Sequence, residues 1–179
     1  MHSSVQKVAR ISLCAALLVL SAWATVPAAI PFTLQTLAVA LTAGLLGGAQ
    51  GSAALAVYLA LGAVGLPVFS GMRGGLAVLL GPTGGYLFGF FLFILLGAFL
   101  LPRFRFKFGD YLALWCGLLS CYLFGTLWFA CLYGGGKSFF EIAMLCVIPY
   151  LPFDAVKLLL AVWLLRRLRP LLETKGKQK

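Results

Sequence analysis

The chain has 179 residues, 63% of them hydrophobic and only 10% charged, with a formal net charge of +10. That composition excludes a water-soluble globular domain and points to an integral membrane protein. The basic excess would suit nucleic acid only if it gathered on one surface, and its spread along the chain argues for membrane topology instead.

Taken in order, the apolar runs predict an all-α membrane protein with six transmembrane helices in a single domain over residues 1–179. The first span covers residues 8–23. Its basic start and apolar run, with Ala22-Trp-Ala24 at the end, imitate a secretory signal. Further apolar segments follow, so it is read as a retained helix. Ser12 and Ala16, spaced i,i+4, place two small side chains where a second helix can approach closely or pack in the ordinary way.

A loop reading VPAAIPFTLQ leads to the second span, residues 34–47, which is shorter than the ~20 residues of a full crossing. It is either a steep short helix or one whose end lies in a protein-lined cavity. Gly47-Gly-Ala-Gln-Gly51 is expected to turn the chain into span three, residues 52–66. The next stretch, GLPVFSGMRGGLAVLLGPTGGY, has too many glycines and prolines for a helix interior but is otherwise apolar. Such a loop is expected to fold back over the protein as a lid or plug.

Pro82 and Thr83 suit the start of span four, residues 83–101, with Thr83 as its cap. The Gly81–Gly85 amides there could receive a polar or anionic group, or the glycines could merely allow close packing. PRFRFKFGD connects to span five, residues 111–133. After Gly134-Gly-Gly-Lys137, SFFEIAMLCVI is too short to cross and is read as an amphipathic or re-entrant helix. Span six covers residues 152–167 and ends in a basic tail.

Six spans put both termini on one side. Lys7, Arg10, Arg103, Arg105, Lys107, Arg166, Arg167, Arg169, Lys175, Lys177 and Lys179 then share that side, against Arg73 and Lys137 on the other. By the positive-inside rule both termini are cytoplasmic. The irregular apolar loops therefore gather on the outer side.

Catalytic signatures are missing. There is no P-loop, H-E-x-x-H or G-x-S-x-G, and the sole histidine is His2. The five cysteines, Cys14, Cys116, Cys121, Cys131 and Cys146, form no C-x-x-C and read as small apolar packing residues. What stands out is Asp154 and Lys157, spaced i,i+3 on one face near the start of span six. Ionisable groups inside a span cost a few kcal/mol, so they persist with a partner or a task. The pair is either a salt bridge that fixes helix packing or a solute site. The convergence of three irregular outer segments on it favours an outward-facing ligand pocket.

Four stretches together resemble the BioY family: Ile30-Pro-Phe-Thr-Leu-Gln-Thr36, Tyr58 with LGAVGLPVFSG, GGLAVLLGPTGGYLFGF, and PYLPFDAVK. The likeness runs in order from Val8 to Arg169. It implies an S-component fold of six helices with cytoplasmic termini, in the cytoplasmic membrane. It implies biotin as transported ligand, no cofactor, and no nucleic acid. The implied partners are membrane lipid and, in an energy-coupling factor (ECF) transporter, one coupling membrane protein and two ATPase subunits.

Carried over residue by residue, the resemblance assigns Asp154 and Lys157 to biotin's polar groups. A carboxylate can accept from ureido N–H groups, and an ammonium can donate to the ureido oxygen or the valerate carboxylate. Which group meets which end stays open. Thr33, Gln35, Phe69, Ser70, Arg73, Thr83 and Tyr86 are implied as further pocket residues, Arg73 facing either the carboxylate or lipid headgroups. Ser12 and Ala16 are implied as the docking face for the coupling protein. Another small vitamin on the same scaffold, or a non-transporting scaffold locked by its charge pair, are the competing readings.

Overall fold

The computed structural model describes residues 2–26, 32–104, 106 and 108–177. Residues 27–31 of the first loop, Arg105, Lys107 and Lys179 lie outside the described residues, as do the side chains of Lys175 and Lys177. The chain is built from α1 (His2–Trp23), α2 (Gln35–Ala63), α3 (Leu76–Leu79), α4 (Gly84–Leu100), α5 (Gly109–Tyr133), α6 (Phe139–Cys146) and α7 (Leu151–Lys177). Four helical stretches are long and apolar enough to cross a membrane: Ser4–Trp23, Gln35–Ala63, Gly109–Tyr133 and Phe139–Pro170. The apolar α4 is shorter.

The expected turn at Gly47–Gly51 is sharper than a loop. Helical geometry is lost at Gly47 alone, where φ is 74°, and resumes at once, so residues 35–63 form one broken helix. Glycine permits that left-handed backbone without a Cβ clash. The two halves fold back on each other. Gln35 Nε2 donates to Tyr58 OH at 2.8 Å across 23 residues, a separation that an unbroken helix would stretch to about 34 Å.

Two features depart from a purely helical chain. A two-stranded antiparallel ribbon, β1 (Thr25–Val26) and β2 (Phe32–Thr33), closes the first loop, pairing Thr25 with Thr33. The second loop carries α3 and a bridge in which Phe69 N donates to Arg73 O at 2.9 Å. Thr83 stands at the cap position of α4, but its side chain makes no capping hydrogen bond. The capping box lies instead on α6, between Ser138 and Glu141. It gives that short helix a satisfied N-terminus.

The core is formed where α4 packs on α5, and α2 packs on α1, α4 and α7. Leu18, Val39, Leu55, Phe93, Ile94, Leu114, Leu118, Leu158 and Leu165 are fully buried there. Leu13, Leu20, Leu95, Phe99, Leu119, Leu123, Leu159 and Trp163 point outward. An apolar exterior of this kind is a liability in water and the normal state in lipid.

Candidate functional site

Asp154 lies in the first turn of α7, where a negative charge meets the positive end of the helix dipole. Lys157 follows almost one turn later on the same face, and its Nζ lies 2.7 Å from Asp154 Oδ1. Their side chains are only 4% and 9% exposed, respectively. Burial this deep demands that both charges be satisfied. They are. Lys157 Nζ also donates to Thr33 O at 2.6 Å, and it sits 4.0 Å from the centroid of the Phe32 ring. Asp154 Oδ1 accepts from Thr36 Oγ1 at 2.8 Å, and Oδ2 accepts from the Tyr122 hydroxyl. One carboxylate thus ties α7 to α2 and α5.

Around this pair lies a cavity in which about 80 Å³ is open to the centres of water-sized molecules. That is several times what a single water needs. All nine residues assigned to the pocket line it: Thr33, Gln35, Phe69, Ser70, Arg73, Thr83, Tyr86, Asp154 and Lys157. They come from β2, the start of α2, the second loop, the start of α4 and the start of α7. The middle of α5 adds Leu118, Cys121 and Tyr122, and Cys146 of α6 adds a further wall. Ser12 and Ala16 stand apart, exposed on the outer face of α1.

Close packing sets the walls. A Cβ on Gly62 would fall 1.9 Å from the Phe69 ring, so the absent side chain is what lets Phe69 seat on α2. Phe69 then meets Tyr58 edge-on at 5.5 Å between centroids. This anchors the second loop over the cavity, as the apolar composition of that loop suggested. On the other side, Tyr86 lies against Gly125, whose Cβ would come within 2.3 Å of its ring. Its hydroxyl reaches Thr126 Oγ1 at 3.3 Å.

Polar capacity on the loop side is less fully used. The Ser70 hydroxyl is buried without a hydrogen-bond partner. Arg73 Nε donates to Ser70 O at 3.2 Å. The cavity therefore offers an acceptor at Asp154 and donors at Lys157 and on the second loop, set among both apolar and hydroxyl-bearing side chains. It can hold a small ligand that carries both kinds of group.

Sequence reasoning left out Thr36, Phe32, Tyr58 and Tyr150 as site residues, although all four stand inside the stretches that carry the family resemblance. Tyr122 had no such flag. It is one tyrosine in a long apolar helix, and its partner is 32 residues away.

The sequence matches the BioY family over residues 1–174. It is 40% identical over 161 residues to the biotin transporter BioY of Thermotoga maritima, covering 87% of this chain and 91% of that protein. Similarity to the probable biotin transporter BioY of Pyrococcus horikoshii is 38% identity over 140 residues, covering 78% and 81%. The fold also matches the crystal structure of the S-component for biotin from an ECF-type ABC transporter. There the TM-score is 0.86 at 25% identity, over 94% of this chain and 93% of that one. A family match over nearly the whole chain, together with relatives at this identity and coverage, makes this chain a member of the BioY family.

Proposed function

We propose that this chain binds biotin and mediates its uptake across the cytoplasmic membrane as the substrate-specific subunit of an ECF transporter. Biotin is captured from the outer face, with Asp154 and Lys157 meeting its polar groups while the apolar walls enclose its rings. Arg73, which lines the cavity, receives the valerate carboxylate. Thr33, Gln35, Phe69, Ser70, Thr83 and Tyr86 complete the pocket. The protein works with a coupling membrane protein, docked against Ser12 and Ala16 on α1, and with two ATPase subunits that supply the energy.

In this reading the chain crosses the bilayer six times, through α1, the two halves of α2, α4, α5 and α7, with both termini inside. Among the described residues, Lys7, Arg10, Arg103, Arg166, Arg167 and Arg169 fall at the end away from the cavity, which the positive-inside rule assigns to the cytoplasm.

The observation that carries the proposal is the convergence on one cavity, around a buried charge pair, of the nine residues that the family resemblance implies. Calorimetric titration of biotin into the detergent-solubilised protein tests it. Tight one-to-one binding is expected, and Asp154→Asn should weaken it about ten- to a hundredfold, the usual worth of a hydrogen bond to a charged group. No heat from demonstrably folded protein would overturn the assignment of biotin.

A further inference from the structure

The hydrogen-bonding capacity of Asp154 is largely committed within the protein itself. Each carboxylate oxygen accepts about two hydrogen bonds. Oδ1 takes two, from Lys157 at 2.7 Å and Thr36 at 2.8 Å. Oδ2 takes one, from Tyr122. Among the described residues no further donor reaches the carboxylate, which leaves one acceptor position, on Oδ2. Tyr122 and Thr36 each own one hydroxyl proton, and both protons point at Asp154. Toward the cavity, which both side chains line, their oxygens can only accept.

Resting on the biotin reading above, we propose that Tyr122 and Thr36 are positioning residues for ligand recognition. They clamp the Asp154 carboxylate from α5 and α2, fix its rotation about the side-chain bonds, and turn its one open lone pair into the cavity. They also make this wall accept hydrogen bonds without offering them, apart from the one proton of Lys157 not given to Asp154 or Thr33. The wall therefore selects a ligand edge that presents N–H donors, as a cyclic urea does, and disfavours one that presents only acceptors. Without the clamp the carboxylate is free to rotate, and a ligand must order it on binding.

Both hydroxyls also tie helices together, so a loss of stability alone would not identify positioning. A double-mutant cycle does. Biotin affinity is measured by calorimetry for the wild type, Tyr122→Phe, Asp154→Asn and the double variant. Tyr122→Phe is expected to weaken biotin about tenfold when Asp154 is present, and less than about twofold in the Asp154→Asn background. Equal factors in both backgrounds would overturn the proposal. In parallel, Thr36→Ser is expected to bind biotin within about threefold of wild type, while Thr36→Val loses about tenfold. Should Tyr122→Phe misfold, or Asp154→Asn bind too weakly to close the cycle, the Thr36→Ser and Thr36→Val pair decides. Equal binding by those two variants sinks the idea. A wild type that does not bind biotin removes the functional reading first and this inference with it. A wild type that binds, with no cycle coupling, removes the inference alone.

Discussion

Each end of the helix bundle carries a carboxylate facing basic side chains, and the two ends hold it in opposite ways. At the cavity end, Asp154 is nearly excluded from solvent and receives Lys157, Thr36 and Tyr122. At the far end, Asp110 opens α5 with its side chain 21% exposed. It meets Arg166 at 3.3 Å and Arg169 at 3.6 Å, whose side chains are 53% and 32% exposed. A buried ion pair carries a large desolvation penalty, so removing one partner strands a charge at high cost. A pair that water can reach contributes little, because water replaces whichever partner is lost. The same chemistry is therefore expensive to disturb at one end and cheap at the other.

The largest effect is expected from breaking the buried pair on one side only. Asp154→Leu leaves the Lys157 ammonium without its counter-charge and should destabilise the protein by about 3–5 kcal/mol. Replacing both, as Asp154→Leu with Lys157→Met, removes the stranded charge and should recover part of that stability, the Thr36 and Tyr122 hydroxyls being left without their acceptor. Biotin binding should be lost in both variants. Thermal unfolding in detergent, read beside biotin titration, separates the two roles. A double variant that is stable but does not bind marks the pair as a ligand site. One that is stable and still binds would reduce it to a packing lock.

A middle-sized effect is expected where the second loop rests on α2. Gly62→Ala puts a Cβ into the Phe69 ring, which lies only 1.9 Å from that position. Overpacking of this kind typically costs about 1–3 kcal/mol. The strain can be relieved by lifting Phe69 and its loop away from the cavity. Faster biotin dissociation is therefore expected, with Asp154 and Lys157 untouched. Unchanged dissociation would mean that the loop does not cover the ligand.

How far the sequence speaks follows the same contrast between the ends. Asp154 and Lys157 were legible because a charge inside an apolar run has few structural excuses. The glycine-rich loop was legible as an apolar segment that packs on the protein, and Val68, Phe69 and Leu79 are buried, while Leu66, Met72, Leu76 and Leu80 stay exposed. Thr36 and Tyr122 were not, because a hydroxyl in an apolar helix is common and becomes informative only when its partner is known. Those partners are 118 and 32 residues away in sequence. Gly47 lay in a visible turn signal, yet only the backbone shows that one residue suffices to fold α2 back. The short ribbon of Thr25–Val26 with Phe32–Thr33 was hidden by its length, since two-residue strands have no periodicity to read.

The smallest effect tests the far end. Asp110→Asn removes the carboxylate charge that faces Arg166 and Arg169, but it does not release α7 from α2. Arg169 Nε also donates to Gly44 O at 3.2 Å. Gly44 lies three residues before the break at Gly47, where the first half of α2 runs out of in-helix donors for its last carbonyls. That bond survives the substitution, and water can solvate the arginines. A loss of at most about 1 kcal/mol is expected, shrinking further in high salt. Biotin affinity should stay within about twofold of wild type, because nothing at this end lines the cavity. If Asp110→Asn instead weakened biotin as strongly as a change at Asp154, the two ends could not be independent. The Asp110 contacts would then set the position of α7, and with it the geometry of the pair that the same helix carries at its other end.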